Sequence, residues 1–197
     1  MKRPHAEGLL YQALETELGG EQVYEAAIRA AQNDDLREEW QKYLDQTRTH
    51  QQRLRAVFDT LGLDPDKELP ARAIVRHKGE SLVTAIETAI ATLTPEEAQL
   101  VAGECVVDAE NKDHLNWSLL SHIVEEGPKA FAEALREPVE ETLEEENKHR
   151  FHNEGWTREL WMSHLGFKAA LPPPEEEKDV TTKIGAGRAE HAREQYL

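Results

Sequence analysis

The sequence predicts an all-α protein, built as a four-helix bundle with a long helical crossover between the second and third helices. Three observations support this prediction. β-Strand patterns are nearly absent, apolar residues recur at helical spacing along most of the 197 residues, and capping residues flank the periodic segments. We divide the chain into a bundle over residues 1–170 and an acidic, proline-rich linker with a C-terminal tail over residues 171–197.

Charge and hydropathy narrow the classes of partner. The formal net charge of −16 disfavours nucleic acid, because phosphates are bound mainly by lysine and arginine. It favours cations near the surface, although acidic surfaces commonly serve solubility alone. No stretch approaches the roughly 20 apolar residues that cross a bilayer, and the N-terminus lacks the apolar core of a signal peptide. We therefore expect a cytoplasmic protein without membrane contact, in which the single Cys105 forms no internal disulfide.

The first helix is predicted over residues 5–32, and Glu17 and Glu21 interrupt its apolar face. Desolvating a carboxylate costs several kcal/mol unless a partner or a metal offsets it. Tyr24 lies one turn beyond Glu21 on the same face. We expect its ring to pack in the core, or its hydroxyl to hydrogen-bond near a buried polar site.

The second helix is predicted to follow a short connection at residues 33–35 and to end at Leu61, before Gly62. Asp35 and Glu38 have the spacing of a capping box. A connection this short makes the first two helices antiparallel neighbours.

The long connection over residues 63–94 is itself predicted to be helical between residues 71 and 93. Because it can cross the bundle, the third long helix need not pack antiparallel to the second. Thr94, Pro95 and Glu97 form a strong start signal for that third helix, with threonine as the N-cap and proline in the first turn.

The fourth long helix is predicted to begin at Pro138, because proline is tolerated in the first turn of a helix and breaks its interior. A short helical piece over residues 129–136 precedes it, after the third helix stops at residues 127–128, and Gly166 should end it. The residues beyond 170 form a stiff acidic linker and a marginal helix. We expect this tail to be disordered or to dock on a protein partner.

Five metal-capable side chains occupy core-facing positions near the middle of the four long helices. They are Glu17, His50, Glu110, Glu146 and His149. The spacing of Glu146 and His149 puts a carboxylate and an imidazole on one face, where both can bind one ion while the carboxylate bridges to another. Glu145 lies off this face and is not expected to contribute. Carboxylates with a few imidazoles suit iron or manganese better than zinc.

Other residues on the same helix faces extend this candidate site. Taken singly, each has an ordinary explanation, since a lone buried histidine or tyrosine is usually a hydrogen-bonded core residue. Possible additional ligands are Glu21, Asp113 and His114, and possible neighbours of the ligands are Tyr24, Thr47 and His152.

In their order and helix-by-helix placement, these residues resemble the ferritin-like di-iron carboxylate proteins. That family is a four-helix bundle with one long crossover, and it takes a glutamate from each of two helices and Glu-x-x-His from each of the other two. The resemblance covers residues 5–166. It implies, in helix order, the ligands Glu17, His50, Glu110, Glu146 and His149.

One ligand of the family pattern is replaced in this chain. Three residues before His50 the pattern has a glutamate, whereas this chain has Thr47. Residues 44–62, together with residues 142–145, look more like a bacterial stress-associated branch of the superfamily whose activity is poorly defined. The replacement leaves open an asymmetric site completed by a nearby side chain, and a site for a single ion.

The resemblance implies a protein that holds iron, as one or two ions, and reduces dioxygen or peroxide at the expense of Fe(II). Manganese with the same ligands is the alternative metal. A hypothesis of a different class is a non-catalytic helical bundle whose buried polar network gives packing specificity. The sequence contains no Gly-rich phosphate loop and no G-x-S-x-G motif. A monomer and a homo-oligomer both remain open.

Overall fold

The computed structural model describes residues 3–197, and its regular structure over that range is entirely helical. The prediction of an all-α protein is therefore confirmed. The α-helices are α1 (Arg3–Ala30), α2 (Asp34–Leu61), α3 (Pro70–Thr92), α4 (Pro95–Glu126), α5 (Lys129–His164), α6 (Pro174–Glu177) and α7 (Lys183–His191), and a 3₁₀ turn covers Arg193–Tyr196.

The four long helices α1, α2, α4 and α5 form a bundle in which α1 packs against α2 and α4, and α5 packs against the same two helices. Paired contacts run in opposite chain directions. For example, Tyr24 contacts Glu110 while Glu17 contacts Trp117, so α1 and α4 are antiparallel. The crossover helix α3 packs across α1 and α4. None of the helices within residues 3–197 combines the length and the apolar character needed to cross a membrane.

Local capping chemistry sets several helix ends. At the start of α2 the N-cap is Asn33, whose side chain accepts the N–H of Leu36 over 3.0 Å, so the predicted capping role of Asp35 is wrong. Asparagine caps well because its short side chain reaches the free backbone N–H groups of the first turn. The capping box of Thr94 and Glu97 is present at the start of α4 as predicted.

Pro138 lies inside α5, which continues from Lys129 to His164 without a break. The prediction that a new helix begins at Pro138 is wrong. Proline removes one backbone hydrogen bond, but Leu135 and Val139 on either side of it are buried in the bundle core. Burying these side chains offsets the loss of the hydrogen bond, and the helix stays continuous.

Two apolar clusters fill the bundle on either side of its middle. One contains Leu14 of α1 and the other contains Val23, so that Glu17 lies between them on the same helix. The candidate ligands therefore lie in a polar layer that is closed above and below by apolar side chains. Trp117 borders this layer from one cluster and Tyr24 from the other.

The crossover helix is held on α1 by a buried ion pair and a close backbone contact. The carboxylate of Glu15 pairs with the guanidinium of Arg72, and its Oε1 lies 2.7 Å from Nε of Arg76. At Gly79, an added Cβ would lie 3.3 Å from Cα of Gly19, so the two helices cross where neither has a side chain. These contacts fix the path of α3 over α1.

The C-terminal tail folds back on α5 of its own chain. Glu159 is fully buried, and its oxygens accept hydrogen bonds from Arg193 over 2.9 and 2.8 Å and from the N–H of Ala170 over 2.9 Å. Arg158 pairs with Glu175 over 2.8 Å. The expectation of a disordered tail is therefore wrong, because the tail supplies Arg193 as a second cation, beside Arg158 of α5, for a buried carboxylate. Docking of a protein partner stays a prediction.

Candidate metal centre

The five metal-capable side chains predicted from the sequence meet in the middle of the bundle. They form two groups of three, with ligand-type atoms within 4.8 Å of one another in each group. Glu146 belongs to both groups, and each of the five residues is at most 4% exposed. The first group is Glu17, His50 and Glu146, and the second is Glu110, Glu146 and His149.

Glu146 lies between the two imidazoles. Its Oε1 is 3.0 Å from Nδ1 of His50 and 3.5 Å from Nδ1 of His149. On the outer sides, Oε1 of Glu17 is 3.3 Å from Nδ1 of His50, and Oε2 of Glu110 is 3.6 Å from Nδ1 of His149. Both histidines thus turn the same ring nitrogen toward carboxylates.

Each of the five side chains also has one buried polar atom with no hydrogen-bond partner in residues 3–197. These atoms are Glu17 Oε2, His50 Nδ1, Glu110 Oε2, Glu146 Oε2 and His149 Nδ1. Although His50 Nδ1 is near two carboxylates, it is not aligned for a hydrogen bond with either of them. Buried polar groups without partners are rare in folded proteins, and a concentration of them in one place is typical of a binding site for a ligand or an ion.

The outward nitrogens of both histidines are held by side chains from the facing helix. Nε2 of His149 lies 2.9 Å from the amide oxygen of Gln46, and Nε2 of His50 lies 2.9 Å from a carboxylate oxygen of Glu145. Because these oxygens only accept, each Nε2 carries a proton. In the neutral imidazole, the lone pair of Nδ1 then points into the centre, as metal ligation requires.

Two of the carboxylates are fixed in the same way. The indole N–H of Trp117 donates to Oε1 of Glu17 over 2.7 Å, and the hydroxyl of Tyr24 donates to Oε1 of Glu110 over 2.7 Å. The side chain of Asn153 in turn donates to the Tyr24 oxygen over 3.2 Å. In Glu110 the anchored oxygen differs from the oxygen nearest His149, whereas in Glu17 the anchored Oε1 is also the oxygen nearest His50. Both carboxylates are thus held in place before any ion binds.

The charges in this layer are unbalanced. Burial, together with Glu110 and Glu17, raises the pKa of Glu146 to about 7, although contacts with His50 oppose this rise. Burial disfavours the charged form of His50, but its carboxylate neighbours, Glu17 first, raise its pKa well above the ordinary value. The site therefore concentrates negative charge in a region of low dielectric, where a bound cation would be the strongest compensating charge.

The structure does not bring every predicted additional ligand to the centre. The carboxylate of Glu21 lies between Arg48 and Gln51, at 2.8 Å from each. His114 bonds through Nε2 to Asn147 over 2.9 Å. These two residues therefore cannot take the place of the glutamate that Thr47 replaces.

Asp113 is different from the other predicted additional ligands. It is 5% exposed, and its Oδ1 has no hydrogen-bond partner in the described part of the chain. Burial and then the charges of Glu17, Glu146 and Glu110 raise its pKa well above the ordinary value. It belongs to neither group of three, so it is a further carboxyl group beside the centre rather than within it.

The residues predicted as neighbours of the ligands have distinct positions. Tyr24 contacts a ligand directly, as described above. Thr47 is buried, and its methyl group would lie 3.7 Å from a Cβ added at Gly20 of α1. His152 forms no hydrogen bond with the five residues in the described part of the chain. Its Nδ1 lies 2.7 Å from the hydroxyl of Tyr43, whose ring centroid is 4.2 Å from that of His149.

Gln46 and Trp117 were missed as site residues from the sequence, and no contribution was expected from Glu145. Gln46 lies four residues before His50, and this spacing on one helix face was a usable signal. For Glu145 there was none, because a run of acidic residues resembles a solvated helix face. Its contact with His50 is decided by the approach of α2 to α5.

The centre offers three carboxylates and two imidazoles to two adjacent positions that share Glu146. Oxygen and imidazole donors without thiolates are suited to hard or borderline cations. Comparisons with family models, curated proteins and solved structures found no match to this chain.

Proposed function

We propose that this chain is a ferritin-like metal-binding protein that holds iron in the buried centre, with manganese as the alternative metal. One observation carries the proposal. All five side chains present a buried atom without a hydrogen-bond partner, and in four of them the other polar atom is anchored by a neighbour. A purely structural polar core would be expected to use these atoms in hydrogen bonds.

The two groups of three support a site for two ions. Glu17 and His50 would hold one ion, Glu110 and His149 would hold the other, and Glu146 would contact both. Three carboxylates neutralise most of the charge of two divalent cations. Because Thr47 supplies no carboxylate on α2, the two positions have different surroundings, which supports an asymmetric centre.

When bound, Fe(II) would supply the electrons for reduction of dioxygen or peroxide at an open coordination position. The residues of the chain prepare that position. Trp117 and Tyr24 keep the carboxylates of Glu17 and Glu110 in place, while Gln46 and Glu145 keep the Nδ1 lone pairs directed inward. The apolar clusters on both sides of the layer restrict water.

The alternative is a non-catalytic bundle whose polar core specifies packing. The contact of His50 with Glu146, at 3.0 Å, favours it, because a protonated His50 can balance a buried carboxylate without metal. His50→Leu separates the two functions. It should lower the free energy of unfolding in either case, because the buried carboxylates of Glu17 and Glu146 lose their counter-charge, but it should reduce metal uptake only if His50 is a ligand.

The direct test is elemental analysis of protein purified without chelators or metal-affinity resin, followed by anaerobic Fe(II) titration. We expect near-stoichiometric iron or manganese, and a higher melting temperature on Fe(II) addition, since a ligand that binds the folded state stabilises it. Glu146→Gln should lose uptake at both positions, because both share that carboxylate. Absence of metal together with no thermal stabilisation would overturn the proposal.

The matched control is Glu144→Gln. Glu144 lies on the same acidic run, is exposed and approaches only Lys148, at 3.7 Å, so its neutralisation should leave metal uptake unchanged. Glu145 cannot serve as this control, because it contacts both Nε2 of His50 and the guanidinium of Arg53. Its position off the core-facing side of the helix had predicted no contribution to the site. Equal losses at positions 144 and 146 would show that bulk acidic charge, rather than this centre, binds the metal.

A further inference from the structure

A cavity of about 540 Å³ lies between α1, α3 and α4, separate from the five residues of the metal centre. Its size falls within the range of pockets that enclose small organic molecules. Gly19, Gly20 and Gly79 form part of its lining. The apolar part of the wall comes from Val23, Val75, Leu82 and Ala109.

Two lysines contribute the charge of this cavity. The ammonium group of Lys112 is partly buried, and its hydrogen bond is to the amide oxygen of Asn116 rather than to a carboxylate. Lys78 and Lys112 both line the cavity, which therefore carries two cations in a chain of net charge −16.

The acidic residues of the wall compensate this positive charge only in part. Glu15 also lines the cavity, but its carboxylate is paired with Arg72 and Arg76. Asp108 is an exposed carboxylate of the wall that forms no ion pair within residues 3–197. Two lysines thus face one free carboxylate, and the lining keeps a net positive charge that an anionic ligand would balance.

The side chain of Lys112 is held in position by Asn116, one turn further along α4. Asn116 is fully buried, accepts from the Lys112 ammonium, and donates from Nδ2 to the hydroxyl of Thr16 over 2.9 Å. This chain of hydrogen bonds links α4 to α1 behind the cavity. Because these hydrogen bonds already restrict the Lys112 side chain, less conformational entropy is lost when the lysine binds an anion.

We propose that this cavity binds a small organic anion with an apolar body, whose acidic group lies against Lys112 and Lys78. The apolar body packs on Val23, Val75 and Leu82. A carboxylate on a short alkyl chain is the simplest ligand of this class. The site is built from residues outside the metal centre, so the proposal does not depend on metal binding.

Calorimetric titration with octanoate tests the proposal, with 1-octanol and octylamine as neutral and cationic probes of similar shape. We expect saturable binding of one octanoate per chain and at least tenfold weaker binding of both other probes. Metal-free and metal-supplemented protein should give the same dissociation constant. A negative result for octanoate binding is therefore distinguishable from a negative result for metal binding. Equal binding of octanoate and octanol, or no saturable octanoate binding, would overturn the proposal.

Three variants locate the ligand. Lys112→Met should weaken octanoate binding about tenfold, the loss expected for one charge-assisted contact of about 1.4 kcal/mol. Lys78→Met, at an exposed position that should not disturb folding, should weaken it in the same direction. Ala109→Phe should fill the cavity and abolish binding. Lys129→Met removes a charge whose side chain is 87% exposed near the start of α5, and should leave binding unchanged. A comparable loss in Lys129→Met would show non-specific attraction and overturn the assignment.

Discussion

Trp117 donates its indole N–H to Oε1 of Glu17 over 2.7 Å, while Oε2 of the same carboxylate is buried without a hydrogen-bond partner among residues 3–197. The contact joins α4 to α1 across the polar layer. It fixes the carboxylate oxygen that lies 3.3 Å from Nδ1 of His50 and leaves the second oxygen available to a ligand. An apolar cluster residue thereby orients a candidate ligand.

Removing this indole donor should weaken metal binding. Trp117→Phe keeps an aromatic ring in the core but frees Glu17 to rotate, and loss of such a supporting hydrogen bond typically costs 10- to 100-fold in metal affinity. Competition titration against a chelator measures the change. Trp161→Phe is the control, because its indole bonds to Glu104 on the outer surface of α4. If Trp117→Phe binds metal with unchanged affinity, the indole hydrogen bond does not support the metal site.

The C-terminal tail should detach when Gly155 of α5 acquires a side chain. In Gly155→Ala the new Cβ would lie 2.6 Å from Oε2 of Glu175 and 3.1 Å from Cβ of Pro173, so the Glu175 carboxylate must shift from its place beside Arg158 and Pro173 must give way. We expect faster proteolysis after residue 165 and a loss of about 1–3 kcal/mol in unfolding free energy. At Gly187 a Cβ meets nothing within 4 Å, so Gly187→Ala should not accelerate cleavage. If Gly155→Ala resists the protease as well as the parent protein does, the docking of the tail on α5 at Gly155 is contradicted.

The buried pair of Glu15 and Arg72 should contribute measurably to stability. Arg72→Met leaves a buried carboxylate with Arg76 as its remaining cation, and should cost about 2 kcal/mol in urea unfolding. Arg3→Met removes one member of an exposed ion pair with Glu7. Because exposed ion pairs contribute little to stability, this variant should lose less than about 0.5 kcal/mol of unfolding free energy. Similar losses in both variants would show that the burial of the Arg72 pair has no energetic consequence.

Glu176 should make stability fall as pH rises. Burial, followed by the charge of Glu39, raises its pKa from 4.5 to about 7, although the Trp156 indole hydrogen bond and Lys42 oppose this shift. The folded state thus binds more protons than the unfolded state between pH 4.5 and 7. Stability is lost through that window, because above it the folded protein must hold the charge.

Glu176→Gln removes this titration while its amide oxygen can still accept from Trp156. At pH 8 the variant should be more stable than the parent by roughly 1 kcal/mol, a value reduced for the partial exposure of the site. At pH 4 the two should be similar. Urea unfolding at both pH values measures the difference. An equal gain in stability at pH 4 and pH 8 would show that the gain does not come from removing the Glu176 charge.

The helices were largely predictable because their signals are local. Thr94, Pro95 and Glu97 start α4 through contacts within one turn, and Gly62 ends α2 with a positive φ of 64°. Pro138 was misinterpreted because its effect depends on the packing of its neighbours in the bundle. The tail was misinterpreted because the buried carboxylate of Glu159 meets Arg193, which lies 34 residues further along the chain.

The sequence by itself determined the all-α class and the five metal-capable side chains that meet in the core, because helical periodicity fixes which residues share a face. Only the tertiary structure decided that Glu146 is common to both groups. It also decided that Gln46 and Glu145 orient the histidines and that the tail covers α5. These contacts join helices far apart in the chain, and the distance between two such helices is set by packing, which no local pattern specifies.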